Sequence, residues 1–235
     1  MAHSEHLSKQ FDADLDQLRT RVLQMGGLVE AQIRAAVEAY SSGDVGGVEQ
    51  IIEADKRVNG FEVAIDDACS NIIARRQPAA SDLRLIMGVT KTVTDLERIG
   101  DEAEKIARMA KKIHDREHVV LPHMSDVRHA ANIALAMLRR SLDALARLDA
   151  AEAAQVIRQD AEIDSEFRSV LRELITYMME DPRTISTVID IIWIAKAIER
   201  IGDHAKNMAE QVIYIVKGTD VRHVAVDQVE REALG

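Results

Sequence analysis

The residues best suited to chemistry stand in two similar segments, LERIGDEAEKIA at 96–107 and IERIGDHAKNMA at 198–209. Each segment places a glutamate and an aspartate four residues apart, with a glycine between them, in a stretch of helical periodicity. A glycine inside a helix costs about 1 kcal/mol relative to alanine, and like charges four residues apart repel. Close approach of a neighbouring backbone would account for the glycine, and a bound cation would offset the repulsion. The segments therefore predict two metal sites on helices.

A second pair of oxygen ligands precedes each segment at a matching distance. The turn at Pro78 predicts an antiparallel helix pair, in which Asp55 lies level with Asp101 and Asn59 lies level with Glu97. The second half repeats this arrangement around its own turn. Carboxylate and amide oxygens are hard ligands that suit divalent or trivalent cations. The candidate metal ligands are Glu97, Asp101, Asp55 and Asn59 in the first half, and Glu199, Asp203, Asp160, Asp164 and Asn207 in the second.

Helical geometry places these side chains along a surface groove and not in a sealed core. At 100° per residue, the acidic positions of the first segment lie about 80–140° from the centre of the apolar stripe. The two sites differ in composition, because Lys105 stands where the second half has Asn207, and Glu104 can substitute for it. His204 lies about 100° further round the helix than Asp203, so we consider it only as an additional ligand. The alternative interpretation is a solvated acidic edge, neutralised by neighbouring arginines.

The elements that position these residues are helices. Three prolines and 3% aromatic residues, with abundant small, aliphatic and charged residues, are typical of an all-α protein. Breaks in the periodicity predict six helices, over 12–41, 44–76, 80–114, 125–147, 150–179 and 184–217. Equivalent acidic positions recur after 102–105 residues, so the chain contains an internal repeat. We predict two tandem homologous three-helix bundles, at 1–117 and 118–235, with a seam near 115–124 and a polar tail that is either disordered or a short helix.

Composition excludes several classes of function. The formal net charge of −10 argues against direct binding of nucleic acid, which requires a basic face. The single cysteine, Cys69, excludes an intrachain disulfide and is expected in the core. No apolar signal segment begins the chain, and the longest apolar stretch, 186–198, is too short to span a bilayer. We therefore expect a soluble, cytoplasmic protein.

The doubled ERIGD segments resemble the PhoU family of phosphate-signalling proteins, and the similarity extends over nearly the whole chain. It includes HLSKQFDADLDQL near the start, RRQPAASDLR at the first turn and VKGTDVRH at 216–223. Members of that family are two three-helix bundles with surface metal clusters. The resemblance implies metal ligands at Glu97, Asp101, Glu199 and Asp203, supported by Asp55, Asn59, Asp160 and Asp164 from the opposing helices. The metal would be iron, zinc, manganese or magnesium.

The resemblance also implies a function without catalysis. A PhoU-like protein regulates phosphate uptake and phosphate-starvation signalling, as an adaptor between the high-affinity phosphate transporter and its sensor kinase. The implied partners are the transporter's ATPase subunit and the sensor histidine kinase, with repression of the regulon when phosphate is plentiful. A homodimer is expected, peripheral to the membrane through its partners only.

Two other functions remain open at this point. A carboxylate-bridged di-metal enzyme in a helical bundle would combine glutamates with Glu-x-x-His motifs, which the sequence lacks. Its Asp-x-x-His strings at 126–129 and 220–223 are out of step with the repeat. The third possibility is a metal-free acidic scaffold that binds a basic partner, and partner binding that survives chelation would favour it. Trp193 is expected to anchor the core or a bundle interface, with a partner contact as the alternative.

Overall fold

The computed structural model describes residues 9–78, 80–116 and 124–235. These residues form seven α-helices and contain no strand. The helices are α1 (Lys9–Ser42), α2 (Val48–Arg76), α3 (Ala80–His114), α4 (Met124–Arg147), α5 (Ala150–Glu180), α6 (Ile185–Lys217) and α7 (Val226–Leu234), with a 3-10 turn at Pro182–Thr184 before α6. The six predicted helices are confirmed, each end lying within four residues of its predicted position. The polar tail forms the short helix α7.

Local sequence explains where the helices end. The side chain of Asp149 accepts a hydrogen bond from the backbone N–H of Glu152 at 3.0 Å and so caps the start of α5. Gln77 ends α2 in the left-handed region, with φ of 48°, directly before Pro78. Gly218 ends α6 with φ of 78°, a conformation that glycine adopts at little cost. Short-range chemistry therefore sets the end of α2, the start of α5 and the end of α6.

The helices pack as two groups of three that share an interface. Helices α1, α2 and α3 contact one another, as do α4, α5 and α6, while α3 packs against α6 and α1 against α4. The apolar stripes merge into one continuous core across both groups. Cys69 is buried in this core, as expected, and burial raises the pKa of its thiol to about 12. The predicted seam lies largely outside the described residues, and the division at 117/118 stays a prediction.

The α3–α6 interface carries paired charges as well as apolar contacts. The Nδ1 atom of buried His204 lies 2.9 Å from Oδ1 of Asp95, and the amide of Asn207 donates to the same oxygen at 3.2 Å. The guanidinium of Arg200 lies 2.7 Å from the carboxylate of buried Glu102. The carboxylates of Asp95 and Glu102 are buried, and each has a polar partner, as burial of a charge requires. Polar contacts on both sides of the first ERIGD segment therefore hold α6 against α3.

Of the two places expected for it, Trp193 lies at the interface between the two helix groups and not in the core. Its side chain is 50% exposed, at the edge where α6 meets α3. The ammonium group of Lys105 lies 5.3 Å from the centre of the indole ring, a cation–π contact.

Among the described helices, none combines the length and apolarity that crossing a membrane requires.

Candidate metal centres

Helices α2 and α3 bring three carboxylates together in what we call the first cluster: Asp55, Asp101 and Glu104. One oxygen from each lies within 4.8 Å of the others. Asp55 is buried, Glu104 is partly exposed and Asp101 is exposed. The matched heights predicted for Asp55 and Asp101 place them together here, and Glu104 joins them one turn later on α3. Such a spacing lets three ligands reach one ion, since metal–oxygen distances are about 2.0–2.6 Å.

Charge repulsion and burial act together in the first cluster. Burial raises the pKa of Asp55, and the carboxylates of Asp101 and Glu104 raise it further. Burial and Glu104 likewise raise the pKa of Asp101. Glu97 lies outside the group of three, but burial and Asp101 raise the pKa of its carboxyl in the same way. A cation at this position would stabilise the charged forms of all four groups.

Three buried oxygen atoms around the first cluster have no hydrogen-bond donor among the described residues. They are Oδ1 of Asp55, Oδ1 of Asn59 and Oε1 of Gln32. The other oxygen of Asp55 accepts from the amide of Asn59 at 3.2 Å. An unsatisfied buried acceptor costs about 1–3 kcal/mol. These oxygens and the carboxylates beside them therefore fit a hard cation.

Helices α5 and α6 form the second cluster: Asp164, Glu199 and Asp203, again with one oxygen each within 4.8 Å of the others. Glu199 is buried, and the two aspartates are partly exposed. Burial raises the pKa of Asp203 to about 6, and the carboxylates of Glu199 and Asp160 contribute. Asp160 lies beside this cluster without joining its group of three, and its Oδ1 atom is buried without a donor. The donor set again suits a hard cation.

The second cluster contains its own cations. The ammonium of Lys206 donates to Asp160 at 2.6 Å, and that of Lys196 donates to Glu199. The guanidinium of Arg168 donates to Asp164 at 3.2 Å. These three basic groups neutralise carboxylates that a metal would otherwise bind. Sequence reasoning missed them, although Lys196 three residues before Glu199 and Lys206 three residues after Asp203 were a visible signal.

Two predicted positions face elsewhere. Asn207 and His204 both bond to Asp95 on α3, so their polar atoms turn toward the interface between the halves. Lys105, the counterpart of Asn207, donates to Glu102 at 3.3 Å. The reason is that α3 covers α6 on that side. Helical geometry within one half does not reveal this contact between the halves.

The glycines are explained by side chains and not by a backbone. A Cβ atom added at Gly100 would lie 3.0 Å from Oδ1 of Asp55 and 3.4 Å from Oε1 of Gln32. A Cβ atom added at Gly202 would lie 3.0 Å from Cγ2 of Ile163 on α5. The two distances of 3.0 Å are tighter than ordinary contact. The first glycine thus leaves room for a cluster ligand, and the second leaves room for an apolar residue.

Comparison with known proteins decides the family. The model of the PhoU domain matches the chain twice, at residues 22–110 and 127–212, once in each half. The chain belongs to the PhoU family. The repeat predicted from the acidic positions is therefore the repeat of this domain, and the family fold is the pair of three-helix groups described above.

Relatives with PhoU domains align along nearly the full chain. It is 49% identical over 229 residues to the phosphate-specific transport system accessory protein PhoU homolog of Pseudomonas aeruginosa, covering 97% of this chain and 94% of the relative. It is 45% identical over 232 residues to the accessory protein PhoU of Escherichia coli, covering 99% and 95%. These relatives are accessory proteins of transport, and the PhoU family is not a family of enzymes. The di-metal enzyme considered above is therefore set aside.

Crystal structures of PhoU proteins have the same fold. That of PhoU from Pseudomonas aeruginosa superposes with a TM-score of 0.86 at 50% identity, covering 89% of this chain and 100% of that one. That of the phosphate transport system regulatory protein PhoU from Streptococcus pneumoniae gives a TM-score of 0.83 at 28% identity, covering 90% and 99%. The arrangement of α2 against α3 and of α5 against α6, which builds both clusters, thus belongs to a fold seen in solved structures.

Proposed function

We propose that this chain is a non-catalytic regulator of phosphate uptake and of the response to phosphate starvation. It acts as an adaptor between the ATPase subunit of a phosphate transporter and the sensor histidine kinase, and it represses the response when phosphate is plentiful. The observation that carries this proposal is the 49% identity, over 97% of the chain, to an accessory protein of phosphate-specific transport. The proposal places the protein in the cytoplasm as a homodimer, held at the membrane by its partners.

The proposal includes a metal ion at the first cluster. Asp55, Asp101 and Glu104 would hold it, with Asn59 and Glu97 adjacent. The ion would add positive charge to that of Arg108, which bonds to Glu104. Support comes from the buried oxygens that lack donors and from the raised pKa values of Asp55, Glu97 and Asp101. Oxygen ligands of this kind accept iron, manganese, zinc or magnesium.

For the second cluster a metal-free role is the competing proposal. Lys196, Lys206 and Arg168 already bond to its carboxylates. A surface neutralised in this way can dock a partner through ion pairs without any metal. The two halves would then contribute differently to one adaptor, with metal in the first and protein charges in the second.

A complementation experiment tests the regulatory role. The chain is expressed in Escherichia coli cells that lack their own PhoU, and a transcriptional reporter of phosphate starvation is measured at high phosphate. We expect the wild-type chain to repress the reporter at least tenfold, and the control Asp143→Asn, on an exposed carboxylate of α4, to do the same. A reporter that stays fully active with well-folded protein present would contradict the proposal.

Metal content tests the clusters separately. Untagged protein prepared without chelators is analysed by plasma mass spectrometry, beside Glu97→Gln/Asp101→Asn and beside Asp203→Asn. Loss of most metal in the first variant and little change in the second would support a metal in the first half alone. Loss of about half in each variant would support one ion in each half. Absence of metal from every sample, even after reconstitution, would leave both clusters as docking surfaces.

A further inference from the structure

A groove lies between α1 and α2 in the first half. Its volume is about 590 Å³, and small or apolar residues form its floor, among them Leu28, Ala35, Ile51 and Ala54. Glu38 on α1 and Asp44 in the turn before α2 line one end. Both carboxylates are exposed. The groove lies on the outer side of the first half, on the pair of helices opposite the interface between α3 and α6.

The second half fills the equivalent space with a single arginine. Arg140 on α4 donates from Nε to Glu152 at 2.6 Å and from Nη1 to Gln159 at 2.8 Å, both on α5. Its aliphatic stem and guanidinium therefore cover the surface between α4 and α5. The second half thus shows which kind of side chain fits this position, namely a long aliphatic stem that ends in a cation.

The repeat aligns the three filling residues with three small ones. With the offset of 105 residues that relates Asp55 to Asp160, Arg140 corresponds to Ala35, Glu152 to Gly47 and Gln159 to Ala54. Because the first half has small residues at all three positions, its groove is open. The carboxylate of Glu152 has no equivalent inside the groove, and the acidic groups stand at its end instead, on Glu38 and Asp44. The groove therefore lacks the stem and guanidinium that Arg140 supplies in the second half, although Arg57 on α2 also lines it, and Glu38 and Asp44 remain as acceptors for a further cation.

We propose that the α1–α2 groove is a docking site for a basic amphipathic helix of a partner protein. An arginine of that helix would place its stem over Ala35 and Ala54 and its guanidinium beside Glu38 and Asp44. Helices commonly bind by laying an apolar face into such a groove, with charges at its rim fixing the orientation. The inference rests on the proposed adaptor role, since an adaptor requires a protein-binding surface, but it uses neither acidic cluster.

The test uses a synthetic helical peptide of 16 residues with leucines on one face and arginine at the edge of that face. A matched peptide carries citrulline, which has the shape of arginine without its charge. Binding to the full-length protein is measured by fluorescence anisotropy, with alanine methyl groups followed by NMR. We expect the arginine peptide to bind at least tenfold more tightly than the citrulline peptide and to shift the methyl signals of Ala35 and Ala54.

Two reciprocal variants place the binding on this groove. Ala35→Arg/Gly47→Glu/Ala54→Gln copies the filled second half and should weaken binding at least tenfold. Arg140→Ala/Glu152→Gly/Gln159→Ala opens the second half and should add a second site. Circular dichroism and thermal unfolding check that each variant folds. A Cβ atom at Gly47 meets nothing within 4 Å, so the glutamate has room.

Peptide binding that is equal with citrulline, or unchanged in the filled variant, would overturn the inference. So would the absence of binding to the wild-type protein. The reporter experiment gives a separate answer on the proposed function: if the reporter stays active while the peptide binds the groove as expected, the regulatory role fails and the groove stands. The filled variant, assayed with the reporter, should lose most of its repression.

Discussion

The two acidic clusters occupy equivalent positions in the two halves but differ in the source of their compensating charge. In the second half, Lys196 stands three residues before Glu199 and bonds to it within α6. Lys206 stands three residues after Asp203 and bonds to Asp160 across the α5–α6 groove. The offset of 102 residues that relates Asp101 to Asp203 places Thr94 and Glu104 at the corresponding positions of the first half. One copy thus carries two lysines where the other carries a hydroxyl and a further carboxylate.

Both halves therefore have a carboxylate cluster at the equivalent position, but different basic groups neutralise it in each half. In the first cluster, Arg108 bonds to Glu104 from the solvent side, and the buried oxygen of Asp55 has no donor. In the second, basic side chains reach Glu199 and Asp160, and Asp203 is left with a pKa raised to about 6. Among the described residues, the first cluster therefore has one bonded basic partner, Arg108, whereas Lys196, Lys206 and Arg168 bond to carboxylates in and beside the second.

Exchanging the charges between the clusters should produce the largest effect. Glu104→Lys is expected to weaken metal binding at the first cluster, and Lys206→Glu to strengthen it at the second, each by about 10- to 100-fold. Both replacements change the local charge by two units close to the ligands, and a tenfold change corresponds to only about 1.4 kcal/mol. Calorimetric titration of chelator-treated protein with Mn²⁺ measures both constants.

A matched control separates local from overall charge. Lys9→Glu makes the same change of charge as Lys206→Glu, at the exposed first turn of α1. We expect it to alter Mn²⁺ affinity less than threefold, since salt screens the interaction between exposed charges over a Debye length of about 8 Å. If Lys206→Glu behaved like Lys9→Glu, the lysines would not be what distinguishes the two clusters.

Filling the glycine positions should sharpen the same comparison with a smaller effect. Gly100→Ala places a methyl group 3.0 Å from Oδ1 of Asp55, so the carboxylate must move and Mn²⁺ binding at the first cluster should weaken about three- to tenfold. Gly202→Ala presses on Ile163 instead and should leave metal binding unchanged. Titration with Mn²⁺ again provides the measurement.

Thermal unfolding in chelator is the companion measurement for the two alanine variants. Each gains about 1 kcal/mol of helix propensity, which offsets part of the steric cost. We expect the two unfolding midpoints to differ little, so that a loss of metal in Gly100→Ala alone cannot be attributed to a general loss of stability. Equal metal affinities in the two variants would show that the contact with Asp55 is unimportant.

The fold was predictable to a large degree because its signals are local. Helical periodicity, the turn at Pro78 and the cap at Asp149 each act within a few residues, and they set the helix boundaries correctly. Equal rise along paired helices then placed Asp55 beside Asp101. Each of these inferences uses only two consecutive helices and the turn that joins them.

The remaining features of the site depend on contacts between elements distant in sequence. His204 and Asn207 bond to Asp95 because α3 packs on α6, which no periodicity within α6 reveals. Gln32, on α1, reaches the neighbourhood of Asp55 and Gly100 through the three-helix packing. A glutamine among the apolar positions of α1 was the available signal for it, since a buried amide needs partners.

The smallest expected effect concerns pH and again contrasts the halves. Glu210, on α6, corresponds to the exposed Arg108 of α3, and burial raises the pKa of its carboxyl to about 7. The native protein therefore holds a proton between about pH 4.5 and 7 that the unfolded chain releases. Stability should rise as the pH falls through this window and stay lower above it.

Replacing Glu210 by glutamine should remove this dependence. We expect Glu210→Gln to raise the unfolding midpoint at pH 8 by about 2–4 °C, which corresponds to roughly 1 kcal/mol for a chain of this size once solvent screening is allowed for. Thermal unfolding in chelator between pH 4.5 and 8 measures the effect, with Glu180→Gln on an exposed position of α5 as control. An unfolding midpoint of the wild-type protein that does not change across this range would contradict the prediction. It would mean that the carboxylate of Glu210 is as well solvated as the guanidinium of the exposed Arg108.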